Sequence, residues 1–400
     1  GAIRLIRSLP AFIRIQLFEQ KRRPGMAFTI HNEVLLAVFA IAAVMGATAN
    51  KTNFCTMGAV SDWVNMGDTG RLRAWLLAIA IAIGGVVALE ASGRVNISGS
   101  TFPPYRTENF AWLRYLLGGA MFGIGMTLAS GCGNKTLVRI GGGNLKSLVV
   151  LVIASAMAYL MLWTDFYGTM FDSWMSPLAI GLAKYGIKSQ TLDAIIGGLA
   201  GVENTATLHL ALGALLVVAL LLFIFKAADF RANRDNVLGG TVIGLAVVAG
   251  WAITGSSIGQ AWKEWAEMAD TVPSRVQVQS YTFISPMGDT VRYLMHPADL
   301  SLINFGICAL TGVIVGSFLY ALAKRSFRIE WFASVGDFFN HAVGAVLMGV
   351  GGVLGMGCTI GQGVTGVSTL AIGSMLTLAA IIAGAAGTMK LQYWKMMREA

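Results

Sequence analysis

Three of the chain's four cysteines sit in short segments of one kind. These are Asn53-Phe54-Cys55-Thr56-Met57-Gly58, Gly131-Cys132-Gly133-Asn134-Lys135 and Gly357-Cys358-Thr359-Ile360-Gly361-Gln362-Gly363. A thiol is a weak S–H donor and a soft, polarizable contact. Three of them among glycines and small polar residues suit a sulfur-bearing ligand that is held loosely and passed on. Asn53, Asn134, Thr359 and Gln362 could add uncharged donors. Lys135 and Arg139, close after Cys132, would either draw an anion to a pore mouth or snorkel to head groups, and Lys51 before Cys55 is similar. Met57 and Met356 flank two of the thiols as further contact candidates. Cys308 lies inside the apolar run Ile303–Leu310 and reads as packing. The cysteines are far apart with no CxxC pair, which argues against a disulfide framework, a zinc site or a thiol–disulfide enzyme. No catalytic constellation, cofactor motif or metal-ligand cluster stands out. His209 and His341 read as packing or backbone-bonded residues, and Glu90 as interfacial.

The elements that carry these segments must live in a membrane. Hydrophobic residues make up 56% of the 400-residue chain and charged residues 12%, half of the roughly 25% that a water-facing surface carries. Mean hydropathy is +0.67. This excludes a soluble enzyme, a disordered protein and a nucleic-acid binder. The net charge of +9 falls largely in short stretches between apolar runs, where Lys and Arg orient a chain in the bilayer.

A spanning helix needs about 20 mostly apolar residues. Nine runs qualify: 33–49, 72–92, 111–130, 144–164, 207–225, 237–254, 299–322, 338–356 and 369–388. Residues 165–206 and 255–298 are too polar to span. They read as amphipathic or short surface helices, with Trp163, Trp174, Trp262 and Trp265 suited to an interface. The segment 1–32 reads as a basic amphipathic arm lying on the membrane, with no cleavable signal.

The chain also resembles itself. At an offset of 226, Gly118, Gly123, Gly125, Leu128, Gly131, Cys132 and Val138 match Gly344, Gly349, Gly351, Leu354, Gly357, Cys358 and Val364. A weaker match at an offset of 202 pairs Ala59, Trp63, Met66 and Asp68 with Ala261, Trp265, Met268 and Asp270, and Cys55 with Ser257. The organisation that follows is an arm 1–32, a first repeat 33–164, a linker with one span 165–236, a second repeat 237–388 and a tail 389–400. Four spans return the chain to its starting side and the fifth crosses over, so the second repeat is inverted. Inverted repeats with interrupted helices are a transporter architecture. Open backbone cannot face lipid, so the Gly/Cys segments are expected as surface loops or as re-entrant half-helices lining a cavity, and the runs that follow them at once favour re-entrance. Half-helix N-termini would offer free N–H groups and a positive dipole end to an anion. The expected fold is an all-α polytopic membrane protein of about nine transmembrane helices. Lys and Arg divide almost evenly between the two sides. Discounting the long loops leaves the C-terminal side the more basic, which places the C-terminus in the cytoplasm.

These motifs resemble the YeeE/YedE family of bacterial sulfur-compound transporters. The matching pieces are Asn53-Phe54-Cys55 to Gly58-Ala59, Phe122 to Gly131-Cys132 and Arg139, Asn304 to Gly306 and Val315 to Phe318, and Gly349 to Gly357-Cys358, Gly361 and Gly363. The resemblance implies an inner-membrane permease importing a small sulfur-containing anion, foremost thiosulfate, through a narrow path on which three cysteines relay the anion. Carried over, these are Cys55, Cys132 and Cys358; Cys308 has no counterpart. The family also includes a selenium-linked branch, and it implies a cytosolic sulfur-carrier protein as partner. Departures are the arm, the stretch 271–298, Lys135 in place of a small residue and Gln362 in place of His or Asn. The alternatives are a selenium compound or other sulfur species, a soft cation such as Cu(I), and a membrane thiol–disulfide oxidoreductase.

Overall fold

The computed structural model describes residues 29–97, 100–201, 205–269 and 271–399. Most of the basic arm, and Asp270 of the weaker repeat, lie outside the described residues. Fourteen helices carry the architecture: α1 Ile30–Thr52, α2 Thr56–Ser61, α3 Gly70–Ala91, α4 Trp112–Leu128, α5 Gly133–Gly141, α6 Leu145–Trp163, α7 Leu192–Ala200, α8 Thr205–Phe225, α9 Arg234–Gly255, α10 Ser257–Glu267, α11 Ile284–Met295, α12 Phe305–Ala323, α13 Val335–Leu354 and α14 Ile372–Glu399. Among the described residues nine helical segments are long and apolar enough to cross a membrane, and each contains one of the nine expected runs or most of it. The protein is an all-α, multi-pass membrane protein. The expected bounds shift where caps decide: Thr29 accepts the Asn32 N–H and starts α1 at Ile30, while Asn304 accepts the Ile307 N–H and starts α12 at Phe305, later than residue 299.

Packing between the halves is reciprocal. Helix α1 packs along α12, and α3 packs along α9; α4 packs along α14, and α6 along α13. At the centre α4 crosses α13. A Cβ on Gly125 would lie 2.6 Å from the Gly344 carbonyl oxygen and 2.7 Å from the Met348 nitrogen. A Cβ on Gly351 would lie 2.8 Å from the Gly118 oxygen and 2.6 Å from the Phe122 nitrogen. Adding 226 to each number of the first contact, and subtracting it from the α13 side, gives the second. That is the signature of a self-complementary two-fold contact. Small residues let the two backbones touch, as close helix pairs in lipid require.

Two segments depart from the expected surface placement. The middle of the stretch 271–298 is no exposed insert: Gln279, Ser280, Tyr281, Thr282, Phe283 and Ile284 are all buried, and α11 packs against α6. Averaged hydropathy hides this because each polar group has an internal partner. Asp289 accepts from Arg275 Nε at 2.6 Å, Arg275 Nη2 at 2.9 Å, Asn304 Nδ2 at 3.2 Å and Trp163 Nε1 at 3.2 Å. Ser280 donates to the Val247 carbonyl at 2.8 Å. Trp262 is also buried rather than interfacial, donating from Nε1 to His31 Nδ1 at 3.0 Å. Glu90 and His209 are likewise not isolated. Arg106 forks onto Glu90 at 2.6 and 2.9 Å, and His209 lies 3.2 Å from Glu90 and 2.8 Å from Asp193. His341 does meet a backbone acceptor, the Asp337 carbonyl at 2.8 Å.

Gly125→Val and Gly351→Val should each destabilise the protein by more than the ~1–3 kcal/mol of ordinary overpacking, because the obstacle is backbone; melting in detergent measures this, and similar losses at the two positions are expected. Asp289→Ala should cost about 3–5 kcal/mol by stranding Arg275, while a surface change such as Asp229→Ala should leave the melting temperature unmoved.

Candidate functional site

Each of the three cysteines is the residue that opens a short helix, and each is set up by the same turn. Two residues before it the backbone is left-handed: Asn53 at φ 52°, Ser130 at φ 57° and Met356 at φ 60°. This conformation ends the preceding helix and swings the chain back. For a non-glycine residue it costs energy that surrounding structure must hold, and Arg139 helps by donating from Nη1 to the Ser130 carbonyl at 2.6 Å. The cysteine then caps. The carbonyls of Cys55, Cys132 and Cys358 accept from Ala59, Thr136 and Gln362 at 3.0, 2.9 and 2.8 Å. The helices so started are α2 running on to Met66, α5, and residues 359–368. Cys55 and Cys358 are matched further: each Sγ accepts a backbone N–H at 3.4 Å, from Gly58 and Gly361. That leaves both S–H groups to point elsewhere. Met356 thus acts as a turn residue, and Met57 packs half-buried on the core.

The fold brings the three thiols together. Cys55 and Cys132, far apart in sequence, have neighbouring side chains. The Thr359 side chain lies beside Cys132, and a Cβ on Gly133 would sit 3.8 Å from the Cβ of Cys358. The order Cys55, Cys132, Cys358 is therefore a buried file across the contact between the halves. Cys308 is half-buried on α12 and packs against the core outside this file.

Cys55 adjoins an open vestibule of about 370 Å³ whose lining includes Asn53, Arg71, Lys135, Arg139, Arg328 and Glu330. Four cations face one carboxylate there. Lys135 does not snorkel away; its Nζ donates to Asn53 Oδ1 at 3.0 Å. Arg71 is held by the buried carboxylate of Asp62. The other end of the file is closed by Tyr105 and by residues 281–282 of the stretch once expected at the surface. Tyr105 donates to the Gly361 carbonyl at 2.7 Å, Thr365 to the Tyr281 carbonyl at 2.7 Å, and Thr282 lies beside Cys358. Burial pushes the Tyr105 and Tyr281 hydroxyls up, so both stay neutral donors.

Several buried polar atoms around the file have no hydrogen-bond partner among the described residues: Trp75 Nε1, Asn134 Oδ1, Thr282 Oγ1, Thr359 Oγ1 and Gln362 Oε1. Leaving a buried polar group unmade costs about 1–3 kcal/mol, and these five atoms lie close to the three thiols. Gln362 itself is anchored by Nε2 on the Gly355 carbonyl at 2.6 Å. Of the residues read from the sequence, Cys55, Cys132, Cys358, Asn134, Thr359 and Gln362 lie in the buried file, and Asn53, Lys135 and Arg139 in the vestibule. Arg71, Trp75, Thr282 and Arg328 were missed. Arg71 and Trp75 carried a signal, being one turn apart at the start of an apolar run after two acids; Thr282 carried none.

The model of the sulphur transport family matches residues 51–387. The thiosulfate transporter TsuA of Escherichia coli K12 is 25% identical over 390 residues, covering 92% of this chain and 97% of that protein. The thiosulfate transporter TsuA of Spirochaeta thermophila is 24% identical over 277 residues, covering 67% of this chain and 74% of that protein. With the family match spanning both Gly/Cys segments and Cys55, the chain belongs to the sulphur transport family.

Proposed function

We propose that the protein is an inner-membrane permease that takes up thiosulfate, and that the anion passes along Cys55, Cys132 and Cys358. The observation that carries this reading is the file of three thiols, each at the start of a short helix and opening onto a cationic vestibule. The names of the relatives support thiosulfate as the substrate. Residues 33–164 and 237–388 act as two inverted repeats whose contact forms the path.

The physics follows from dehydration. An anion entering the file loses water and needs replacement donors. The S–H groups, the Thr282 and Thr359 hydroxyls and the Trp75 indole N–H are neutral donors of moderate strength. The N-terminal ends of the short helices add partial positive charge. Modest sites in series let the ion leave again, whereas one deep site with a paired Arg would stall it. The full cations stay in the vestibule, where they concentrate anions without trapping them. The more basic C-terminal side faces the cytoplasm, so the vestibule is the exit, and a cytosolic sulfur carrier would collect the anion there.

Uptake of labelled thiosulfate into cells lacking other importers tests the path. Cys55→Ala, Cys132→Ala and Cys358→Ala should each lower uptake roughly tenfold or more, the equivalent of losing a ~1.4 kcal/mol contact at the constriction, while Cys308→Ala should transport as wild type. Undiminished uptake in all three variants would overturn the thiol relay. Lys135→Gln keeps a donor for Asn53 but removes the charge. Losing one charge-assisted contact of about 1.5 kcal/mol should raise the KM for thiosulfate presented from the vestibule side of proteoliposomes roughly tenfold and flatten its dependence on ionic strength; an unchanged KM from that side would remove Lys135 from the anion's route.

A further inference from the structure

The turn after α2 brings Arg71 back against the short helix that Cys55 opens. Gly67 takes a left-handed φ of 70°, a conformation that favours glycine, and the Asp68 N–H closes the reversal on the Asp62 carbonyl at 3.2 Å. Arg71, in the first turn of α3, then forks onto the Asp62 carboxylate through Nε and Nη2. Asp62 is buried, while the Arg71 side chain keeps 35% of its surface exposed. A Cβ on Gly58 would lie 2.2 Å from Arg71 Nη1 and 2.9 Å from Cζ, so the guanidinium fills the space that a side chain at residue 58 would need. Gly58 is also the residue whose N–H the Cys55 sulfur accepts.

Arg71 lines the cationic vestibule together with Lys135, Arg139 and Arg328, and it also lines a narrow cleft together with Phe54 and Cys55. Among the described residues no other borders both spaces. We propose that Arg71 is a specificity-determining residue: held in place by Asp62 and Gly58, it binds the oxygen end of thiosulfate between the vestibule and Cys55 and leaves the terminal sulfur for the thiol. The identity of the anion rests on the transport reading above; the oxyanion site itself does not.

A guanidinium carries five N–H donors in a planar fork. Asp62 takes one from Nε and one from Nη2, and among the described residues Nη1 has no hydrogen-bond partner. The remaining edge matches two oxygens of an oxyanion. The neighbouring cations are placed differently: Lys135 donates to Asn53 and Arg139 to the Ser130 carbonyl, while Arg328 is exposed. Thiosulfate has oxygens at one end and a polarizable sulfur at the other. With its oxygens on Arg71, that sulfur meets the cleft that holds Cys55. Sulfate can satisfy Arg71 but brings no soft sulfur to the thiol. The Asp62 carboxylate offsets the charge of Arg71, so the grip stays modest, as one site in a series must be.

The test uses the full chain in two ways: proteoliposomes with labelled thiosulfate presented from the vestibule side, and calorimetry of thiosulfate binding in detergent. Arg71→Gln should weaken binding and raise KM roughly tenfold, more than it lowers the saturating rate. Because this change leaves the Asp62 carboxylate unpaired, Asp62→Asn/Arg71→Gln is measured beside it and should show the same loss. Arg71→Lys keeps the charge but not the planar fork and should leave most of the defect in place. Gly58→Ala should displace the guanidinium and raise KM in the otherwise unaltered chain, yet add nothing in the Arg71→Gln background. Undiminished affinity in the Gln variants, full rescue by Lys, or a Gly58→Ala defect of equal size with and without Arg71 would each overturn the proposal. Wild type that binds thiosulfate through Arg71 yet moves none across the bilayer would sink the transport reading and leave the oxyanion site standing.

Discussion

A backbone N–H within a hydrocarbon layer must find its partner inside the protein, and this constraint shapes the molecule. Interrupting a helix at mid-depth is tolerated only where other protein surrounds the break. Here three helices start inside the fold, at Cys55, Cys132 and Cys358, and all three starts are buried. At two of them a sulfur takes up one of the otherwise unpaired N–H groups. The proposed path residues Cys55 and Cys358 therefore also solve a local backbone problem. Asn, Ser or Thr would cap more strongly, but their harder oxygens would grip an anion's water-like partners differently from a polarizable thiol.

The breaks can be buried only because the helices around them approach very closely. Glycines at the α4–α13 crossing bring two backbones together, and their reciprocal contacts make that crossing the two-fold centre of the fold. The same glycine-rich stretches end in the Gly-Cys turns, so the packing that joins the halves and the turns that expose thiols to one another are made from one sequence pattern. The excess of glycine in so apolar a chain is thereby explained by contact, not by flexibility.

The two halves are not equivalent where the chemistry lies. The first contributes Cys55 at the start of α2. Its counterpart at the offset of 202 is Ser257, which is exposed at the start of α10, whereas Cys55 is buried. The space this leaves is filled by residues 278–289, which have no equivalent in the first half and bring Tyr281, Thr282 and Phe283 over Cys358. Symmetry builds the frame, and its violation gives the proposed path two unlike ends: a cationic vestibule beside Cys55 and a closed cover of Tyr105, Tyr281 and Thr282 beyond Cys358.

The sequence by itself determined the membrane class and the spans, and it singled out the repeat and the three thiols as candidates. Hydropathy over about 20 residues is a local sum, and a matched Gly-Cys at a span end survives any folding detail. What it could not decide was adjacency. The sequence grouped Cys55 and Cys132 by their similar segments, but it could not say that their side chains would be neighbours at the starts of two short helices. The polarity of residues 271–298 likewise argued for the surface, because a sum over side chains does not register that Asp289 meets Arg275, Asn304 and Trp163 inside the fold. Burial of polar groups depends on partners supplied from elsewhere in the chain. Only the tertiary structure assigns those partners, and so only it could bring scattered thiols and a polar loop into one buried neighbourhood.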